Sequence, residues 1–142
     1  MSLKSYILEN INDFNSKVKS EEDLKVKVVL PYLKKLGYSE EDMNFESPME
    51  VVIGSKRTTV FSDIEIILNG KVELVIDIKR PNHSVKQTDI LQASSYAKLI
   101  DTPPATMSCV TNGLTTIATN TFTGEQELNI PSKMQLMKRV NA

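Results

Sequence analysis

At 142 residues, with 40% hydrophobic and 25% charged residues, the chain has the make-up of one globular domain built around a single core. A net charge of −1 argues against a strongly basic, self-sufficient nucleic-acid-binding module, and one histidine with one cysteine excludes a Cys/His zinc site. No apolar run approaches the ~18 residues of a membrane-crossing helix and no signal-peptide pattern opens the chain, so no membrane partner and a reducing, cytoplasmic setting are expected.

In chain order, residues 6–14 read as a short lead-in helix. Ser20 is a helix N-cap, with Asp23 close to the capping-box position. Leu24, Val28, Val29, Leu33 and Leu36 follow at helical spacing, Pro31 should kink or divide that helix, and Gly37 is a C-cap. Residues 45–53 and 58–68 read as strands about a Gly54-Ser55-Lys56-Arg57 turn. Asn69-Gly70 is a hairpin signal, and residues 72–79 form the third strand, closed by Pro81. Residues 88–100 are a second long helix whose stripe of Ile90, Ala93, Ala97 and Ile100 should pack on the sheet. Strands at 106–111 and 114–119 flank the Asn112-Gly113 turn, with Cys109 a small core residue. The polar stretch after residue 120 reads as a tail or the start of a further segment. The expected organisation is one domain over 1–142, with a lead-in at 1–19 and a core at 20–119.

Asp77-Ile78-Lys79 ends the apolar third strand, one hairpin downstream of Asp63. A strand burying Val72, Leu74, Ile76 and Ile78 has little use for charges at its end, so chemistry is the better reason for them. A plain two-residue loop pairs Asp63 with Ile76 and points Asp77 away from Asp63. One added residue, from a longer loop or a bulge, pairs Asp63 with Asp77. It also gathers Ile64, Ile66, Leu68, Val72, Leu74, Ile76 and Ile78 on one face, leaving Asp63, Glu65, Glu73, Asp77 and Lys79 on the other. Patterning therefore selects that register. The two carboxylates are then neighbours, ~5 Å apart at Cβ, and repel unless a cation or proton lies between them. Such oxygens suit Mg²⁺, with Mn²⁺ as substitute, and the Ile78 carbonyl is a further candidate ligand. Lys79 could orient a water or neutralise developing charge. The tripeptide alone is weak evidence: with 18 acids in the chain, an acid-x-Lys run is expected about twice by chance, and Asp23-Leu24-Lys25 is another. Glu65 and Glu73 read as groups solvating the polar face, His83 as a solvated loop residue, and Tyr6, Tyr32 and Tyr38 as core-edge residues. Gln92 and Tyr96, four apart on the second long helix, can reach the sheet edge. In the first helix, periodicity does not choose between Glu21 and Glu22 as an inward acid.

Several ordered stretches resemble the PD-(D/E)xK nuclease superfamily, and most closely the N-terminal nuclease domain of type I restriction enzyme R subunits. They are Ser20-Glu21-Glu22, Leu30-Pro31-Tyr32-Leu33 with Leu36-Gly37-Tyr38, and Ser62-Asp63-Ile64. Val75-Ile76-Asp77-Ile78-Lys79-Arg80-Pro81, Gln92-Ala93-Ser94-Ser95-Tyr96 and Val110-Thr111-Asn112-Gly113 complete the set. The resemblance covers roughly residues 20–119. It implies an α/β (α+β) restriction-endonuclease-like αβββαβ core, with a central mixed sheet flanked by helices. It further implies Mg²⁺-dependent hydrolysis of double-stranded DNA, with Asp63, Asp77, the Ile78 carbonyl and Glu21 at the metal. Lys79 would help activate water, and Gln92 and Tyr96 would support the site. Two departures are Ser62 where the pattern has proline and Asp77 where glutamate is usual. No GxxxxGK[ST] phosphate loop occurs, so ATP belongs only to a full-length, multi-domain context. Partners implied are DNA and other restriction-modification subunits or a motor domain. DNA binding by this chain alone should be weak. The alternative is a catalytically weak nucleic-acid- or subunit-binding module of the same fold.

Overall fold

The computed structural model describes residues 1–141, the side chains of 46–53 and 58–61 excepted. The lead-in is two helices, not one: α1 (Leu3–Leu8) and α2 (Ile11–Lys17). They bury Leu3, Ile7 and Phe14. Ser20 caps α3 (Glu21–Leu24) by accepting from the Asp23 amide, a contact worth about 1 kcal/mol. Asp23 reaches back to the Lys19 amide and not to that of Ser20, so the capping pair is displaced by one residue. The break expected at Pro31 is a π turn over Lys25–Val29, running directly into α4 (Leu30–Lys35). Proline lacks an amide hydrogen and its ring crowds the turn before it, and a wider turn there relieves both conflicts. After α4 the chain reverses through Gly37, at φ +101°. The Tyr38 amide returns to the Leu33 carbonyl and the Gly37 amide to that of Lys34, each at 3.1 Å.

Six strands form one sheet in sequence order: β1 (Met43–Ile53), β2 (Lys56–Leu68), β3 (Lys71–Ile78), β4 (Met107–Thr111), β5 (Thr116–Asn120) and β6 (Gln126–Glu127). Neighbours are antiparallel except β3 and β4, whose parallel pairing needs a crossover, supplied by α5 (Gln87–Leu99). The helices α1 to α4 cover one face of the sheet and α5 the other.

The β2–β3 hairpin sets the site. Asn69 and Gly70, at φ +54° and +77°, make a tight two-residue turn that pairs Leu68 with Lys71 and Ile67 with Val72. The register then shifts: Ile66 pairs with Leu74, Glu65 with Val75 and Ile64 with Ile76, which leaves Glu73 as the extra residue of a bulge. Carried one step further, this register sets Asp63 level with Asp77. Ile64, Ile66, Leu68, Leu74, Ile76 and Ile78 accordingly share the main core beneath α1 to α4. Val72 departs from the expected set. It precedes the bulge, so its side chain emerges on the opposite face and packs with Val75, Tyr96, Ala97 and Ala105 beneath α5.

The stretch after residue 120 is more than a polar tail. It adds β6 and then α6 (Lys133–Val140), which buries Leu136 in the main core beside Ile130. The Lys133 amide also caps the end of α4 by donating to the Leu36 carbonyl at 3.0 Å. Tyr32 and Tyr38 are core members and not edge residues, and Tyr6 lies against Tyr32 at 5.5 Å between ring centres. Cys109 is buried and free. Among the described residues, no helix is long and apolar enough to cross a membrane.

Candidate active site

Asp63 and Asp77 meet where β2 and β3 end. The Asp63 carboxylate accepts the Ile78 amide at 2.6 Å, a bond that a regular ladder would give to a β2 carbonyl. The Lys79 amide faces the other way, to the Thr111 carbonyl at 2.8 Å. Because amides alternate along a strand, the Ile78 carbonyl lies on the same edge as its amide, beside Asp63. The Asp63 carboxylate is close enough to Asp77 for its charge to act on it. Burial pushes Asp77 up to about 6; Lys79 opposes that rise and the Asp63 charge adds to it. The charged form of Asp77 is therefore disfavoured without a counter-charge, and a cation beside the two carboxyls would offset that penalty.

Lys79 lies between two acids: its Nζ is 3.3 Å from Asp77 Oδ2 and 4.0 Å from Asp89 Oδ1. Burial alone would lower its pKa, but Asp77, Asp89 and Glu21 outweigh it and hold the ammonium above its usual value. The Lys79–Asp77 pair is thus one-sided, favouring the charged lysine while its partner stays hard to ionise. Asp89 is buried and held from behind by His83 Nε2 at 2.8 Å and the Lys86 amide at 2.9 Å. Burial works against its charge, yet these two bonds and Lys79 keep it below the usual carboxylate range. The His83 loop is pinned in turn, its carbonyl accepting from Asn112 Nδ2 at 2.7 Å. His83 is therefore a half-buried partner of Asp89 and not a solvated residue.

A second group lies behind the acids. Glu65, expected to help solvate this face, is buried, and accepts from Tyr96 Oη at 2.9 Å, Ser62 Oγ at 3.0 Å and Asn44 Nδ2 at 3.2 Å. Glu73 is likewise buried, accepting from Lys71 and Thr106 at 3.0 Å each. Both lie under α5 and its flanking loop, which a reading of β2 and β3 alone does not show. Burial and Glu65 push the Tyr96 hydroxyl up to about 12, the Ser62 bond acting the other way. Ser62, Asp77, Lys79, Gln92, Ala93 and Tyr96 line a small cavity of about 130 Å³, room for a few waters or a hydrated cation.

The structure thus brings Asp63, Asp77, Ile78 and Lys79 together, with Gln92 exposed at the cavity wall and Tyr96 behind it. Glu21 and Glu22 both stay exposed at the start of α3. Glu21 is the one whose charge reaches Lys79. Among the described residues, no three acids, histidines or cysteines gather closely enough to enclose a metal, so Glu21 does not join the Asp63–Asp77 pair. Asp89 and Glu65 are the residues that sequence reading missed. Asp89 sits one helical turn before Gln92, and Glu65 two residues after Asp63 in a strand, so each shares a face with a residue already singled out.

The family model described as Type I restriction enzyme R protein N terminus (HSDR_N) matches residues 20–133. The chain belongs to that family. No curated protein matches the sequence. A solved structure, the fragment structure of a putative HsdR subunit of a type I restriction enzyme from Vibrio vulnificus YJ016, superposes with a TM-score of 0.66 at 24% identity over 88% of this chain. That likeness covers 26% of the Vibrio chain, so this R-subunit domain spans about a quarter of that relative's length. The mixed sheet with helices on both faces agrees with the expected restriction-endonuclease-like core.

Proposed function

We propose that this R-subunit domain is a metal-dependent DNA endonuclease. The observation that carries the reading is the convergence of Asp63 and Asp77 at the end of the β2–β3 hairpin, with Asp63 bonded to the Ile78 amide and the Lys79 ammonium held at 3.3 Å from Asp77. The donor set fits a hard divalent cation: two carboxyls converging at one strand end, and the Ile78 carbonyl on the same edge. Asp63 and Asp77 would hold Mg²⁺ or Mn²⁺, with Glu21 a more distant acid whose charge acts on Lys79. When bound, that ion supplies Lewis-acid polarisation of a phosphodiester and a more acidic attacking water.

The chain's own residues supply the rest. Lys79, kept charged by two flanking carboxylates, orients the attacking water and offsets charge gathering on the phosphate. Asp89 holds Lys79 in place. Gln92 meets the substrate at the cavity wall. The substrate is double-stranded DNA, and the motor and sequence-reading functions belong to other domains or subunits. The near-neutral charge of the chain agrees with delivery by such partners.

The test is nicking of supercoiled plasmid in Mg²⁺ or Mn²⁺ by the wild-type domain and by Lys79→Ala. Metal-dependent nicking lost in the variant supports the proposal; equal activity in the two proteins defeats it. That no third acid gathers with Asp63 and Asp77 among the described residues favours a second reading, a binding module that holds DNA without cutting. Mn²⁺ and DNA binding with no nicking under any metal would select it.

A further inference from the structure

We infer that Glu65 is a positioning residue for this site, holding β2 in the twist that aims Asp63 at the seam. The inference rests on the nuclease reading for its catalytic consequence, and on geometry for the rest. Ser62 and Glu65 are three residues apart, an odd separation that puts side chains on opposite faces of a regular strand. Their side chains nevertheless meet at 3.0 Å, both on the α5 side. β2 is therefore turned out of its regular pleat between them, across Asp63. There the ladder to β3 stops: its last pair is Ile64 with Ile76, and the next β3 amide that faces β2, that of Ile78, goes to the Asp63 side chain.

The same Glu65 oxygen also accepts from Tyr96, at 2.9 Å, on the helix that carries Gln92 one turn earlier. One buried carboxylate thus ties the strand segment bearing Asp63 to the helix lining the cavity. Without it, the Ser62 and Tyr96 hydroxyls would lie buried without that acceptor, β2 would relax toward a flat pleat, and the Asp63 carboxylate would swing away from Ile78. Neither Glu65 nor Tyr96 need touch substrate for this to act.

The Ile78 amide proton reports the outcome directly, because its resonance depends on the length of the bond to Asp63. Glu65→Leu should move that resonance and lower kcat roughly tenfold, with little change in KM for DNA. Glu65→Gln, which keeps an oxygen for Ser62 and Tyr96, should recover most of both. Adding Tyr96→Phe to Glu65→Leu should lower kcat no further, since the two share one route. A folded Glu65→Leu protein with an unmoved Ile78 resonance would reduce Glu65 to a packing staple. If Glu65→Leu fails to fold, Ser62→Ala decides: the Ile78 resonance must move there, and an unmoved one overturns the inference. Absence of wild-type cleavage would defeat the nuclease reading alone, because the Ile78 resonance still judges the role of Glu65.

Discussion

The Ile78 amide donates to the Asp63 carboxylate at 2.6 Å, so an aspartate side chain closes a rung that a neighbouring strand would otherwise fill. This fixes one carboxylate at the seam and forces Asp77, the next acid along β3, against it. The first three predictions follow from that crowding and from the charges around it.

Asp77 titrates near 6 in the fold against a reference near 3.8, so between those values the folded chain binds more protons than the unfolded one. Stability from this group is fully present below about pH 4 and is lost as pH rises through 6, up to ~3 kcal/mol in all. Without metal, Asp77→Asn should therefore be more stable than wild type at pH 7 and gain nothing at pH 4. Urea unfolding in chelator at the two pH values measures the difference. An Asp77→Asn protein that is less stable at pH 7 would contradict it.

A divalent ion should reverse that penalty. At a hundred times its dissociation constant, Mn²⁺ should stabilise wild type by about 2.7 kcal/mol and leave Asp63→Asn and Asp77→Asn unmoved. Lys79→Ala should keep the Mn²⁺ effect and lose cleavage by roughly 10²–10³-fold. Thermal melts with and without Mn²⁺, beside plasmid nicking, separate binding from chemistry.

Asp89→Asn removes a negative charge 4.0 Å from the Lys79 ammonium and keeps the shape of the side chain. The lysine is then tethered by Asp77 alone, and kcat should fall roughly ten- to a hundredfold while the Mn²⁺ affinity holds. Steady-state nicking and calorimetric titration provide the two readings. A parallel loss of metal affinity would show that Asp89 shapes the carboxylate pair itself.

Gly113→Ala should be costly for two reasons. The residue sits at φ +98°, and a Cβ there would meet Ile7 and Leu24 at 3.1 Å and Phe14 at 3.2 Å. We expect a loss of about 2–4 kcal/mol in urea unfolding. Gly70→Ala, at φ +77° with nothing within 4 Å, carries the backbone penalty alone, about 1 kcal/mol. Equal losses would mean that the lead-in helices do not press on this turn.

The hairpin was readable in advance because two independent patterns, turn chemistry at Asn69-Gly70 and alternation in β2 and β3, conflict unless one residue is added. Where it is added was not readable: the bulge falls at Glu73, and Val72 consequently changes sides. Asp63, Asp77 and Lys79 followed from that register. Asp89 and Glu65 did not, because their partners lie on another element, His83 in a loop for one and Tyr96 on α5 for the other. A buried carboxylate reads as a surface charge until its donors are known. The lead-in split and α6 were hidden for a plainer reason: helices of eight residues or fewer are too short for their pattern to stand out, and neighbours in space supply what length lacks.

The single surplus residue at Glu73 makes the hairpin sensitive to parity. Lengthening or shortening it between Ile66 and Leu74 by two residues leaves every downstream side chain on its present side. A change of one that neither loop nor bulge absorbs would exchange inside for outside along the rest of β3, sending Ile76 toward α5 and Asp77 into the main core. Insertions and deletions within the paired strands here should therefore be tolerated better in even steps than in odd ones.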